Sequence, residues 1–401
     1  MATSRRLLVL GAGPAQLGLL RAARERGLFV IACDRDPAAP GFEFADRRAL
    51  VSAEDEESLD RLARAEHVDG LIAPGIDWPV AIAARLAERL GLPHPIAPET
   101  ASLCVSKLRQ RERFADGRIP QPGFAVCAGV DEALEAAAGI GFPCVVKAPD
   151  RQGQRGLSLV QDPDDLAAAA ETALQASRSR VCLVEELVSG PELTVNAFSA
   201  AGGFHPLTVT DRLTARAPAF GVALAHAWPA ARGAGEAVEA ARLAAEALGI
   251  ENGPSYTQVV VGPDGPRVVE LAARLGGGHD AELCHVALDV DLNALALDAA
   301  LGDVPEVPRA RGRGGACVRF LVAPPGELLR VQGLDEALAS DGVCDARCYR
   351  RPGYAFGELR RGADRAGFVL AAGSSRDDAL ARADRAAECV RFETADAAAR
   401  V

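Results

Sequence analysis

The sequence predicts an α/β chain that begins with a small parallel sheet and continues into antiparallel α+β lobes. Three observations predict it. Short apolar runs alternate with amphipathic helical segments through residues 7–90. A junction with three prolines follows at 91–98, and beyond it strands come in pairs joined by glycine-bearing turns. The chain's 401 residues suffice for two or three domains, each with its own core.

Residues 7–10 form an apolar strand that leads into Gly11, Gly13 and Gly18, then a helix to about 26 stopped by Gly27. A second strand, Phe29–Cys33, ends at Asp34. Together these imitate a dinucleotide fingerprint, in which an acid follows the glycines by about twenty residues. The spacing G-x-G-x-x-x-x-G, and Pro14 in place of an amide that a pyrophosphate would use, favour a plain strand-to-helix turn instead. A strand at 49–51, a helix at 53–65, a strand at 70–73 and a helix at 79–90 continue the alternation. The last helix carries Val80, Ala83, Leu86, Ala87 and Leu90 on one stripe, between Pro79 at its start and Gly91 at its stop.

Past the junction, a helix at 102–115 contains Lys107. A strand at 141–147 places Val145 and Lys147 on one face and runs into a polar loop at 150–158 with Gly153 and Gly156. A strand lysine beside such a loop can hold phosphate through backbone N–H groups and a point charge, although no G-K-[ST] opens a helix here. A helix at 163–177 precedes a strand–kink–strand at 181–198, with Gly190 and Pro191 at the kink. Its backbone at 185–188 can meet a ligand edge; the other reading is a surface hairpin exposing Glu185, Glu186 and Glu192.

Two β-branched runs, 256–261 and 267–271, then flank a Gly-Pro-Asp-Gly turn. A three-residue loop with Gly265 at positive φ would set Val260 against Val268 and Gln258 against Glu270, with Ala272 and Arg274 continuing that face. A four-residue loop would set Gln258 against Val269 and separate the pair.

A net charge of −11 with no basic run argues against a nucleic-acid partner. No apolar run approaches the roughly 20 residues that span a bilayer, so no membrane is expected. The apolar run after Arg5 and Arg6 is too short for a signal peptide. The ten cysteines are scattered singly in apolar company, and Cys344 and Cys348 alone do not make a metal site. A cytoplasmic protein is expected.

In order, Lys107, Lys147 with its glycine loop, Glu185-Glu186, Gly190-x-Glu192, Gln258 opposite Glu270, and Arg274 resemble the ATP-grasp superfamily. The segments 315–320, 326–329 and 365–370, with a helix at 376–392, are similar to the carboxylate–amine ligases that join L-amino acids. The resemblance implies a Rossmann-like, biotin-carboxylase-like N-terminal domain at 1–97 and a two-lobed ATP-grasp clamp, with small lobe 98–186 and large lobe 187–309. A lid-like C-terminal α+β subdomain would occupy 310–401.

It further implies ATP and Mg²⁺, or Mn²⁺, as cofactors. Lys107 and Lys147 would hold phosphates. The loop carrying Gln152, Gly153, Gly156 and Ser158 would close over them. The backbone of Glu185, Glu186, Leu187 and Val188 would read the adenine, and Glu192 would accept from the ribose. Gln258 and Glu270 would hold the metal, which takes few protein oxygens and completes its shell with phosphate and water. Arg274, with Lys147, would neutralise charge at the transferred phosphoryl group. His226, Gly277, Gly278 and His279 would meet substrate, the amides at 276–280 offering a carboxylate site where a helix opens. Asp211 and Arg212 would line the acceptor pocket, unless they form an exposed ion pair.

Two departures stand out. Gln258 replaces the acid common in relatives, and Ala272 replaces an asparagine that commonly supplies a further ligand, which bears on whether one or two metals bind. The expected activity is ADP-forming ligation of a small-molecule carboxylate to an amine, with a homodimer conceivable through the edge of the N-terminal sheet. Three alternatives stay open: an ATP-grasp carboxylase or purine-pathway ligase, an NAD-dependent oxidoreductase using Gly11, Gly13 and Asp34, and a non-catalytic nucleotide-binding module.

Overall fold

The strand Arg6–Leu10 is apolar on both faces because both are covered. In the computed structural model, which describes residues 4–395, it lies inside a four-stranded parallel sheet in the order Arg47–Ala49, Phe29–Cys33, Arg6–Leu10, Gly70–Ile72. Leu8, Leu10 and Ile31 pack on the helix Trp78–Leu90, while Leu7, Val9 and Val30 pack with the helix Leu17–Glu25. The outermost residues of the expected first and last domains, 1–3 and 396–401, lie outside the described residues.

The sheet ends on two strands of three residues each, Arg47–Ala49 and Gly70–Ile72. A Cβ on Gly70 would fall 2.5 Å from the Ala300 carbonyl oxygen, so the face of the sheet there is covered by the end of the helix Leu292–Ala300, and the strand at the other end carries Arg47 and Arg48.

The expected helix at 102–115 is two helices, Pro98–Cys104 and Lys107–Asp116. Ser106 separates them: it is extended, and its hydroxyl accepts from the Arg109 amide, capping the second helix. Lys107 therefore starts a helix instead of sitting inside one.

Four antiparallel strands follow, in the order Phe124–Cys127, Cys182–Glu186, Cys144–Lys147, Leu157–Val160. The helices Val130–Ile140 and Leu166–Ala176 bury Ala133, Ala137, Ala169, Ala170 and Ala173 against the sheet. An eight-stranded sheet runs Gly265–Ala272, Gly253–Gly262, Glu192–Ala200, Gly203–Thr214, Ala223–Trp228, Gly315–Leu321, Gly367–Gly373, Val343–Cys348. Backbone pairing of Ala225 with Arg319 carries this sheet across residue 310, where a subdomain was expected to begin. The expected helix at 376–392 stops at Cys389, and Arg391–Ala395 becomes a strand beside Gly326–Gln332. Among the described residues no helix is long and apolar enough to cross a membrane.

The hairpin closes differently from expectation. Gly262 pairs with Gly265 across a two-residue loop, and Val259 with Val268, the register that would have set Gln258 against Val269. A bulge at Val269 shifts the ladder by one residue, and Gln258 pairs with Glu270 after all. The pairing depends on this bulge and not on the turn.

Candidate active site

A cleft of about 760 Å³ lies between the four-stranded sheet and the Gln258–Glu270 end of the eight-stranded sheet. On its inner wall Val145 pairs with Glu185, so Lys147, two residues on, shares that face and reaches Glu185 diagonally, with 2.6 Å between Nζ and Oε2. Arg111, one helical turn beyond Lys107, donates from Nε to the other carboxylate oxygen at 2.8 Å and from its terminal nitrogens to the Val268 and Val269 carbonyls. Burial alone would raise the Glu185 pKa, but Arg111 and Lys147 outweigh it and hold the carboxylate ionised. Lys147 is pushed down to about 8, chiefly by burial, with Glu185 opposing and Arg111 adding to the shift. Glu185 is thus buried, against the surface-hairpin reading, while Glu186 is exposed.

Lys107 Nζ stands 2.8 Å from Glu270 Oε2 and donates to the Arg151 carbonyl at 3.0 Å. Burial works to raise the Glu270 pKa, and the Lys107, Lys147 and Arg274 charges together lower it. Gln258 Nε2 donates to the Tyr256 hydroxyl at 3.1 Å. Arg274 donates from Nε to Asp77 at 2.7 Å and from a terminal nitrogen to the Leu275 carbonyl at 2.9 Å.

The glycine loop is tied down at both ends of its tip. Gln152 accepts from the Asp77 amide; Gln154 donates to the Gly221 carbonyl at 3.3 Å and accepts from the Gly362 amide at 3.2 Å. Gln152 and Gly153 line the cleft, Gly153 at φ +66 with open space around it. Gly156 and Ser158 do not line it: a Cβ on Gly156 would fall 2.6 Å from Ala176, and Ser158 pairs with Val146 in the sheet, so both line an outer groove. The segment Glu186, Leu187 and Val188 forms the opposite wall, and Glu192 closes that end with its carboxylate on Arg212. Asp211 and Arg212 are both buried and take different partners, Arg376 and Glu192, so they are not an exposed ion pair.

The substrate-side candidates gather elsewhere. His226, Gly277, Gly278 and His279 do not line the cleft. His279 is buried at φ +58, stacks on Phe368 with 3.7 Å between ring centroids, and shares a 2.7 Å hydrogen bond with the Tyr349 hydroxyl. His226 Nδ1 lies 3.4 Å from Asp280 without a hydrogen bond, and burial pushes this histidine down to about 4, so it is neutral. The Gly278 amide, expected to be free for a substrate carboxylate, donates to Asp280 Oδ2 at 3.0 Å.

Arg111, Tyr256 and Asp77 were not anticipated. Helical spacing from Lys107 and period-two spacing from Gln258 could have pointed to the first two. Asp77 lies 197 residues from Arg274, and no local signal links them.

Residues 319–395 match the family model for L-amino acid ligase C-terminal domain 2, and residues 110–195 match that for the carbamoyl-phosphate synthase L chain, ATP binding domain. The formate-dependent phosphoribosylglycinamide formyltransferase of Burkholderia pseudomallei is 30% identical over 415 residues, covering 97% of this chain and 96% of that protein. This chain belongs to the ATP-grasp superfamily. As an ATP-grasp protein it is an ATP-dependent ligase that forms C–N bonds. Its ATP-grasp fold matches the L-amino acid ligase from Bacillus licheniformis with a TM-score of 0.80 at 20% identity, covering 99% of this chain and 100% of that one. It also matches the biotin carboxylase domain of Hydrogenobacter thermophilus 2-oxoglutarate carboxylase, solved with MgADP and bicarbonate, with a TM-score of 0.80 at 17% identity, covering 98% and 91%.

Proposed function

We propose that this chain uses ATP to join a carboxylate to an amine, one of them an amino acid, through an acyl phosphate. The observation that carries the reading is the convergence of Lys107, Lys147, Gln258 and Glu270, from four separate elements, on one end of a nucleotide-sized cleft. The L-amino acid ligase match at 319–395 supports the amino-acid choice.

In this reading the proposed lobes 98–186 and 187–309 clamp the nucleotide. Lys107 and Lys147 turn from Glu270 and Glu185 toward phosphate oxygens. The backbone at 186–188 meets the adenine, and Glu192 accepts from the ribose. The loop at 152–154 shuts water out. A carboxylate oxygen of the substrate attacks the γ-phosphorus, and the bond to the ADP oxygen breaks. The amine nitrogen then attacks the acyl carbon, phosphate departs, and the nitrogen loses a proton. Arg274, held by Asp77, stabilises charge on the group in transfer.

The donor set fits a cation that arrives with phosphate. Among the described residues there is no cluster of three or more His, Cys, Asp or Glu that could hold a metal, but one amide and one ionised carboxylate face each other at 258 and 270. Magnesium is held in this way by one or two protein oxygens plus phosphates and water. Bound there by Gln258 and Glu270, it would neutralise charge on the nucleotide.

The test is ADP release measured with a broad panel of amino acids and other carboxylates, with and without an added amine. Protein that binds ATP yet releases no amine-dependent ADP sinks the reading. One observation favours a second reading: the formyltransferase relative spans nearly the whole chain. ADP release with formate and glycinamide ribonucleotide, and with no amino acid, would select it.

A further inference from the structure

We propose that Tyr256 is a positioning residue that turns the Gln258 side chain so that its carbonyl oxygen is presented to the nucleotide-bound cation. The inference rests on the reading of Gln258 and Glu270 as the metal end of the site.

A carboxylate at 258 would offer a cation two equivalent oxygens. A glutamine offers one oxygen and one NH₂, and only the oxygen can ligate. An amide free to rotate would expose the repelling end part of the time, so a site built on glutamine needs something to fix the orientation. Tyr256 supplies it. Two residues earlier on the same strand, it shares the face of Gln258, and its hydroxyl accepts from Gln258 Nε2 at 3.1 Å. That contact leaves Oε1 as the remaining polar atom of the side chain. The buried Arg212 guanidinium acts on this phenol by its charge, and a neighbouring cation favours the phenol oxygen acting as an acceptor. Tyr256 itself is buried, so its ring is held in place.

The residue across the ladder fits the same account. Tyr256 pairs directly with Ala272. Directly paired side chains on one face crowd each other, and a methyl at 272 leaves the phenol room to lie along the strand toward Gln258. The missing asparagine and the presence of the tyrosine are thus one arrangement: a ligand is given up at 272, and the remaining amide ligand at 258 is locked by its neighbour. Second-layer partners that orient a ligand in this way commonly carry about 10- to 100-fold of metal affinity.

The experiment measures Mn²⁺ binding in the presence of ADP by electron paramagnetic resonance, a readout independent of turnover and of the unidentified substrates. Tyr256→Phe removes the hydroxyl and keeps the ring; it should weaken Mn²⁺ binding by about tenfold or more, with metal-free ADP binding unchanged. Gln258→Glu has no wrong end to orient, so adding Tyr256→Phe to Gln258→Glu should cost less than about twofold. Wild-type Mn²⁺ affinity in Tyr256→Phe overturns the proposal, as does a full loss that persists in the Gln258→Glu background, which would mark Tyr256 as merely structural. Glu270→Gln separates the two levels. If it too binds Mn²⁺ as wild type does, the metal site itself is misassigned; if it loses binding while Tyr256→Phe does not, only the tyrosine's role falls.

Discussion

Replacing Glu185 with glutamine removes the one carboxylate that faces both Arg111 and Lys147. The distances are 2.8 Å to Arg111 Nε and 2.6 Å to Lys147 Nζ, and the Arg111 and Glu185 side chains are 0% and 3% exposed, so solvent screens neither contact. Leaving buried charge without its partner costs about 3–5 kcal/mol. The Val268 and Val269 carbonyls continue to accept from Arg111, which places the expected loss near the lower end, about 3 kcal/mol. The loss should depend on pH. Lys147 titrates at about 8 in the folded chain against an ordinary value of 10.5, so between these values the unfolded chain holds a proton that the folded chain lacks. Stability therefore rises with pH through that window, and below it the cost of burying the ammonium is present in full. Without Glu185 the contribution that raises the Lys147 pKa disappears, and the window extends downward toward neutrality. Urea denaturation of wild type and Glu185→Gln at about pH 6 and about pH 9 should show the larger difference at the lower pH. Equal stability at pH 6 would refute the buried-triad account. In the wild type, nucleotide affinity should fall as pH rises through about 8, because the free protein loses the Lys147 charge.

Lys107→Ala leaves Glu270 without the ammonium 2.8 Å away, so its pKa rises from its depressed value while Lys147 and Arg274 still oppose burial; affinity for a fluorescent ADP analogue should drop about tenfold, and an unchanged affinity would remove Lys107 from the phosphate end. Gly190→Val places a Cβ 2.3 Å from the Val261 carbonyl oxygen, a backbone atom that cannot step aside; the melting temperature should fall by several degrees and nucleotide binding should weaken, whereas a neutral result would show that the kink is not fixed by this contact.

Much of the site was legible because its chemistry sits on local patterns. Period-two alternation put Val145 and Lys147 on one face, and a glycine-proline kink marked where the chain turns after Glu186. Register was the weak point. The Gly-Pro-Asp-Gly turn signals a hairpin but does not encode the bulge at Val269, which shifts the register by one residue. A polar dipeptide such as Glu185-Glu186 likewise reads as surface until the arginine that buries its first member is known. The surroundings of His279 were hidden for a related reason: a lone histidine in the sequence does not reveal that Phe368 and Tyr349 will stack beside it.

The sequence by itself determined most of the element types, the parallel N-terminal sheet and the family, because these follow from periodicity, turn chemistry and motif order along neighbouring residues. Only the tertiary structure decided which charges meet. Arg274 with Asp77, Arg111 with Glu185, Lys107 with Glu270 and Gln154 with Gly362 are joined across 74 to 208 positions. Burial then sets the strength of each contact and the ionisation of each group. No stretch of chain carries that information, since the low-dielectric surroundings exist only once the chain has folded around them.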